Sequence, residues 1–309
     1  MIDRRRAIQH LGGSAIALMA LRATGAMAAG NSNSGIFGDS AFRNRITEIE
    51  ADNGGRLGVA ILDTARGARF AWRGDERFPM CSTFKFLLSA AMLARCDNGQ
   101  ERLDRRIAFA TSDLVAHSPV TKDHAGGPGM TVSELCAATM TTSDNTAANL
   151  LLTALGGLKA FNAFARSLGD RHTRIDRIEP WLNEAMPGDL RDTTTPLAML
   201  GNLHRLLVRS PLTPASRDLL IGWLVANTTG DARLRAGVPA DWSVGDKTGA
   251  GERGTVNDIG ILWPAGRAPI LVASYLTGSP KSFEINSAVH AEVARALVTA
   301  ISSQARADR

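Results

Sequence analysis

Tyrosine occurs once in the 309 residues, cysteine three times and lysine five times. No apolar stretch is long and uninterrupted enough to span a bilayer. With so few lysines and rings there is no basic run interleaved with aromatics, so nucleic-acid binding has little support. Cys81, Cys96 and Cys136 make an odd count without a C-x-x-C pair, and the six histidines show no H-x-H or H-x-x-x-H spacing. The usual zinc frameworks are thereby excluded, and no metal or other cofactor is expected. At most one disulfide can form, between partners the sequence does not identify, and buried free thiols are the default.

What is present reads as a globular chain with an export leader. Hydrophobic residues make up 44% and charged residues 21%, enough to bury a large core in one big domain or two interlocked ones. Residues 1–28 stand apart: Arg4-Arg5-Arg6, an apolar stretch from Ala15 to Leu21, then Ala26-Met27-Ala28, a small-x-small cleavage signature. Cleavage near Ala28 or Ala29 is expected. Ala7-Ile8 and Gly12-Gly13 after the arginines admit the twin-arginine route beside general secretion, although the usual Phe is absent. Losing the leader removes four arginines and one aspartate and lowers the net charge from +5 to +2.

Beyond the leader, Phe42, Ile46 and Ile49 recur at helical spacing until Asn53-Gly54-Gly55. Leu57–Leu62 and Arg69–Trp72 read as two strands. From Ser82 onward the texture is helical, with segments at 132–140, 147–155, 158–168, 196–208 and 214–226. Strands return at 242–246, 257–263 and 270–276, and a last helix is expected from Phe283 to Ser303. Strands at both ends with helices between suggest one sheet shared by the termini and a second, helical lobe, with a cleft at their junction.

The chemistry is expected around Met80-Cys81-Ser82-Thr83-Phe84-Lys85. A Ser and a Lys three residues apart share one helix face, where the amine can take the hydroxyl proton or supply local charge. Taken alone, Ser-x-x-Lys is common, and Ser143-Asp144-Asn145 is no more than a plausible helix cap. Lys247-Thr248-Gly249 could equally be a solvated strand end. All three, once each and in this order, are the set shared by class A β-lactamases and penicillin-binding proteins.

The segment Arg174 to Thr193, containing Glu179-Pro180-Trp181-Leu182-Asn183, resembles the omega loop of class A serine β-lactamases in its E-x-x-L-N pattern. The resemblance extends from Ala41 to the C-terminus. It implies an α+β fold: a three-layer α/β/α sandwich domain built from both chain ends around an antiparallel sheet, plus an all-helical domain, with the active site in the cleft between them. The corresponding division is 29–80 with 226–309 for the α/β part and 81–225 for the helical part. It implies a β-lactam hydrolase conferring antibiotic resistance, exported to the periplasm, acting on small molecules as a monomer, with no membrane attachment after leader cleavage.

Residue by residue, the resemblance makes Ser82 the nucleophile and Lys85 or Glu179 the competing acylation bases. Backbone N–H groups of Ser82 and Ala250 would form the oxyanion hole, each donor being worth about 10²–10³ in rate. Ser143 would relay a proton to the departing ring nitrogen. Asn145 would bind the substrate's side-chain amide, and Lys247, Thr248 and Gly249 its carboxylate. Glu179 and Asn183 would hold and deprotonate the deacylating water, and Arg177 would pair with Asp192 across the loop's neck. Arg233 would approach Lys247 and the carboxylate, and His117 would form a wall at the rim.

Two departures stand out. Ser89 occupies the place from which many members bridge to the position of Cys136, so Cys136 is expected free unless Cys96 reaches it. Gly251 stands where some members bridge to the Cys before the nucleophile, so Cys81 is expected unbridged. Two rival readings remain: a cell-wall D-Ala-D-Ala peptidase carries the first three motifs but lacks the loop, and a β-lactam sensor domain would need a membrane anchor.

Overall fold

The computed structural model describes residue 37, residues 40–209 and residues 211–307; the expected leader lies outside them. Five strands form one antiparallel sheet: β1 (Arg56–Asp63), β2 (Arg69–Trp72), β7 (Ser243–Gly251), β8 (Thr255–Trp263) and β9 (Ile270–Thr277), in the order β2-β1-β9-β8-β7. The two chain ends therefore meet in one sheet, as the sequence suggests. Three of its joints are long ladders, which set Ala60 opposite Ala273, Ile259 opposite Ala273 from the other side, and Lys247 opposite Ile259.

Both faces of the sheet are covered, which is why β1 is apolar at nearly every position rather than at alternate ones. Val59 and Ile61 point toward α1 (Ser40–Asn53) and α8 (Phe283–Ala307), packing with Phe42, Ile46, Val289, Val293 and Leu297. Ala60, Leu62, Ala273 and Tyr275 belong to the opposite core, shared with the helices of the chain's middle. Those are α2 (Phe84–Asp97), α3 (Val132–Thr141), α4 (Asn145–Leu155), α5 (Gly157–Ser167), α6 (Pro196–Leu203) and α7 (Pro214–Val225). Helix α2 is buried on every side from Phe84 to Leu93, the pattern of a central helix rather than a surface one.

Two short strand pairs complete the fold: β3 (Phe78–Pro79) with β6 (Thr193–Thr194), and β4 (Arg106–Ile107) with β5 (Met130–Thr131). The first pair closes the loop that carries Glu179. It needs space against β1, and Gly58 supplies it: a Cβ there would lie 2.4 Å from the Phe78 ring and 2.8 Å from Pro196.

Element ends differ from the sequence reading in three places. Ser82 sits in a 3-10 turn, Cys81–Thr83, that precedes α2. The 196–208 helix is α only to Leu203 and continues as a π-helix, His204–Val208. Strand β7 runs on through Lys247-Thr248-Gly249 to Gly251 instead of closing there. Cys81, Cys96 and Cys136 are all free. Among the described residues no helix is long and apolar enough to cross a membrane.

His290 fastens α8 to the sheet from a fully buried position. Its Nε2 lies 3.0 Å from the Val256 carbonyl, which can only accept, so the proton is on Nε2 and Nδ1 accepts from the Ser274 hydroxyl at 2.8 Å. Burial first, and then the charge of Arg233, pull its pKa from 6.5 to about 3. The unfolded chain takes up this proton below pH 6.5 and the folded chain does not until about pH 3. Stability should therefore be lost as pH falls through this window, by about 1.4 kcal/mol per pH unit from this residue. Urea unfolding of wild type and His290→Leu between pH 7 and 5 checks it: the variant should lack that slope, and equal slopes would contradict it.

Candidate active site

Lys85 projects from the first turn of α2 and is fully buried. Its Nζ donates to the Asn145 side-chain carbonyl at 2.6 Å and to the Ser143 backbone carbonyl at 2.7 Å, and it meets Glu179 Oε1 at 3.0 Å. The same carboxylate oxygen accepts from the Ser82 hydroxyl at 3.3 Å. Ser82, Lys85 and Glu179 thus converge on one atom, although 97 residues separate the first from the last. Burial holds the Lys85 pKa below the usual lysine range, and the charge of Glu179 opposes that shift.

Ser143 and Asn145 flank Asp144, which caps α4 by accepting the Ala147 N–H at 2.9 Å. Asp144 is itself buried and also accepts from Val120 N–H and from the N–H and hydroxyl of Thr121. This fixes Ser143 in a left-handed conformation, φ +61°, with its hydroxyl 3.1 Å from Lys247 Nζ and 3.4 Å from Lys85 Nζ. Asn145 also donates to the Ala116 carbonyl at 2.8 Å, so its side chain joins the lysine to the loop that bears His117.

Glu179 and Asn183 lie in the loop between α5 and β6. Asn183 donates to Glu179 Oε2 at 2.5 Å and to the Pro180 carbonyl at 3.1 Å. Its side-chain oxygen, Oδ1, is buried with no hydrogen-bond partner among the described residues. The loop's neck is closed as expected, by Arg177 Nε on Asp192 at 2.6 Å, and Arg177 also pairs with Glu184.

Strand β7 forms the other wall. Lys247 is fully buried, and burial, reinforced by the charge of Lys85, holds its pKa well below the usual lysine range. The Thr248 hydroxyl bonds that of Thr229. Gly249 passes so close to the nucleophile's turn that a Cβ there would sit 2.8 Å from the Met80 carbonyl. A Cβ on Gly251 would lie 2.6 Å from Cys81 Sγ, so the two positions are adjacent and the bridge is missing only for want of a second cysteine. Ala250 is exposed on the same strand.

Ser82, Lys85, Ser143, Asn145, Glu179, Asn183 and Lys247 form one connected hydrogen-bond network. The side chains of Arg233 and His117 stand off it. Arg233 donates to the carbonyls of Gly249 and Asn257 at 2.9 and 2.6 Å and lies over the Phe283 ring at 5.5 Å, reaching Lys247 through its charge alone. His117 is exposed, with Nε2 3.0 Å from the Thr142 carbonyl, and its backbone carbonyl accepts from Asn145 N–H.

Two positioning residues escape sequence reasoning. Asn149 pairs both ways with the Glu179 backbone, at 3.0 Å each. Asn257 donates to the carbonyls of Pro79 and Met80, fixing the turn that presents Ser82. Both are ordinary polar residues whose partners lie far away in sequence, and no local signal marks them. Asp144, legible as a cap, also holds Val120 and Thr121, more than 20 residues away.

Comparison with known proteins agrees with this geometry. The sequence model of the Beta-lactamase enzyme family matches residues 41–303. β-Lactamase OXY-2 of Klebsiella oxytoca is 48% identical over 237 residues, 77% of this chain and 81% of that one. β-Lactamase L2 of Stenotrophomonas maltophilia is 46% identical over 298 residues, covering 96% and 98% of the two chains. The solved structure of an ancestral (GNCA) class A β-lactamase superposes with a TM-score of 0.83 at 63% identity, over 84% of this chain and 99% of that one. The chain belongs to the β-lactamase enzyme family, and within it to the class A serine β-lactamases.

Proposed function

We propose that the protein hydrolyses β-lactams through an acyl-enzyme on Ser82, and that it does so as an exported monomer in the periplasm. The observation that carries this reading is the shared contact of Ser82 and Lys85 with Glu179 Oε1, at 3.3 and 3.0 Å. Residues 29–80 with 226–309 and residues 81–225 would be its two lobes. One chain supplies every group the reaction asks for, which supports a monomer. Its substrates are small molecules, with no part for nucleic acid.

Ser82 attacks the strained amide carbonyl, and its proton passes to Glu179, the acceptor within hydrogen-bond reach. The N–H groups of Ser82 and Ala250 stabilise the oxyanion. Ser143, set between two lysine amines, passes a proton to the departing nitrogen. Lys247 and Thr248, beside Gly249, take the substrate carboxylate, with Arg233 adding positive charge from behind the strand. Asn145 has one amide proton beyond its bond to Ala116 to offer the substrate's side chain, and His117 walls the rim. The ester is then cleaved by a water held between Glu179 and the unpartnered side-chain Oδ1 of Asn183. A penicillin-binding peptidase or a sensor would have no use for that last pair.

Purified protein with excess benzylpenicillin, followed by ring absorbance and intact mass, tests the reading. Continuous loss of the ring with little adduct is expected, and Ser82→Ala should show none. A stable one-to-one adduct without turnover, or no reaction at all, would contradict it. Lys247→Gln should raise KM for benzylpenicillin about tenfold or more, the worth of a charge-assisted hydrogen bond; an unchanged KM would remove Lys247 from carboxylate binding.

A further inference from the structure

Helix α2 carries Ser82 and Lys85 near its N-terminal end. Its other end, roughly 21 Å along the axis, borders a second concavity of about 680 Å³. The ends of α2 and α5, the start of β2 and the turns after α6 wall it. Arg69, His204, Arg205, Arg209, Phe164 and Leu168 line it, and among the described residues no aspartate or glutamate does.

The π-helix explains how the cations come together. Arg209 N–H bonds the His204 carbonyl at 3.0 Å, five residues back. This wider turn brings residues four and five apart onto one face, so His204, Arg205 and Arg209 crowd toward the same opening. Such turns recur at functional sites. Burial, and then the charges of Arg209, Arg69 and Arg205, hold the His204 pKa below its ordinary value.

These guanidiniums differ from others in the chain. Arg45 meets Glu292, Arg105 meets Glu101 and Arg235 meets Asp246. Arg69, Arg205 and Arg209 meet no carboxylate among the described residues, and all three are exposed. They do not cap the helices either. The Ala94 carbonyl of α2 is taken by the backbone N–H and side-chain amide of Asn98, and those of Phe164, Ala165 and Arg166 by Leu168 and Gly169 N–H.

We propose that this cavity binds a small soluble dianion with an apolar body, a phosphomonoester of an aromatic or aliphatic alcohol being the fitting class. Guanidiniums bind phosphate through paired N–H donors, and Phe164 and Leu168 receive the apolar part. The volume falls within the usual range for small-molecule sites.

Calorimetric titration of 1-naphthyl phosphate into the purified protein at low ionic strength is the test. One saturable site is expected, and inorganic phosphate, lacking the apolar body, should bind it more weakly. Arg205→Gln/Arg209→Gln, and separately Arg69→Gln, should weaken binding about tenfold or more and leave melting temperature and benzylpenicillin turnover unchanged. No saturable binding, equal binding by the variants, or equal binding of inorganic phosphate would overturn the proposal. So would retention on phosphatidylglycerol vesicles without binding of the soluble ester.

Discussion

Lys85 and Glu179 face each other at 3.0 Å with neither side chain reaching solvent, and a pair so placed must replace the water that each charge has lost. It does so with fixed dipoles: the carbonyls of Ser143 and Asn145 on the lysine, the amide of Asn183 and the hydroxyl of Ser82 on the carboxylate. Removing either partner would strand a buried charge, at a cost of about 3–5 kcal/mol.

The rest of the fold serves that pair. Helix α2 is sealed in apolar side chains, so Lys85 cannot reach water by tilting. Asp144 holds Ser143 and Asn145 against the lysine from α4, and Asn149 holds the Glu179 backbone from the same helix. From the sheet, Asn257 grips the carbonyls of Pro79 and Met80, and Gly249 lets β7 approach the turn closely enough to share the cleft. Helices and sheet thus meet at Ser82, and each contributes groups that the other cannot supply.

Much of this was legible in the residues themselves. Periodicity located α1, the strand pairs and the helical middle, because both sheet faces and α2 are buried and leave a strong apolar pattern. Three short motifs and one loop marked Ser82, Lys85, Ser143, Asn145, Glu179, Asn183 and Lys247, which the fold brings together. Less visible was how the groups are held. Asn149, Asn257 and the extra bonds of Asp144 depend on partners brought near only by folding. The extent of β7 was also hidden: Lys-Thr-Gly looks like a strand end by composition, but its ladder to β8 continues to Gly251 opposite Thr255. The π-helix at His204–Val208 likewise leaves no mark in a helical apolar pattern.

In the proposed mechanism Glu179 acts in both halves of the reaction, and its part in the second half distinguishes a hydrolase from a protein that merely becomes acylated. Rapid quench of Glu179→Gln with benzylpenicillin, followed by intact-mass and peptide mapping, measures that part directly. Accumulation of one benzylpenicilloyl group on Ser82, decaying about 10²-fold or more slowly than in wild type, is the expected result. An adduct that turns over at the wild-type rate would contradict it, because the water would then be activated by some other group.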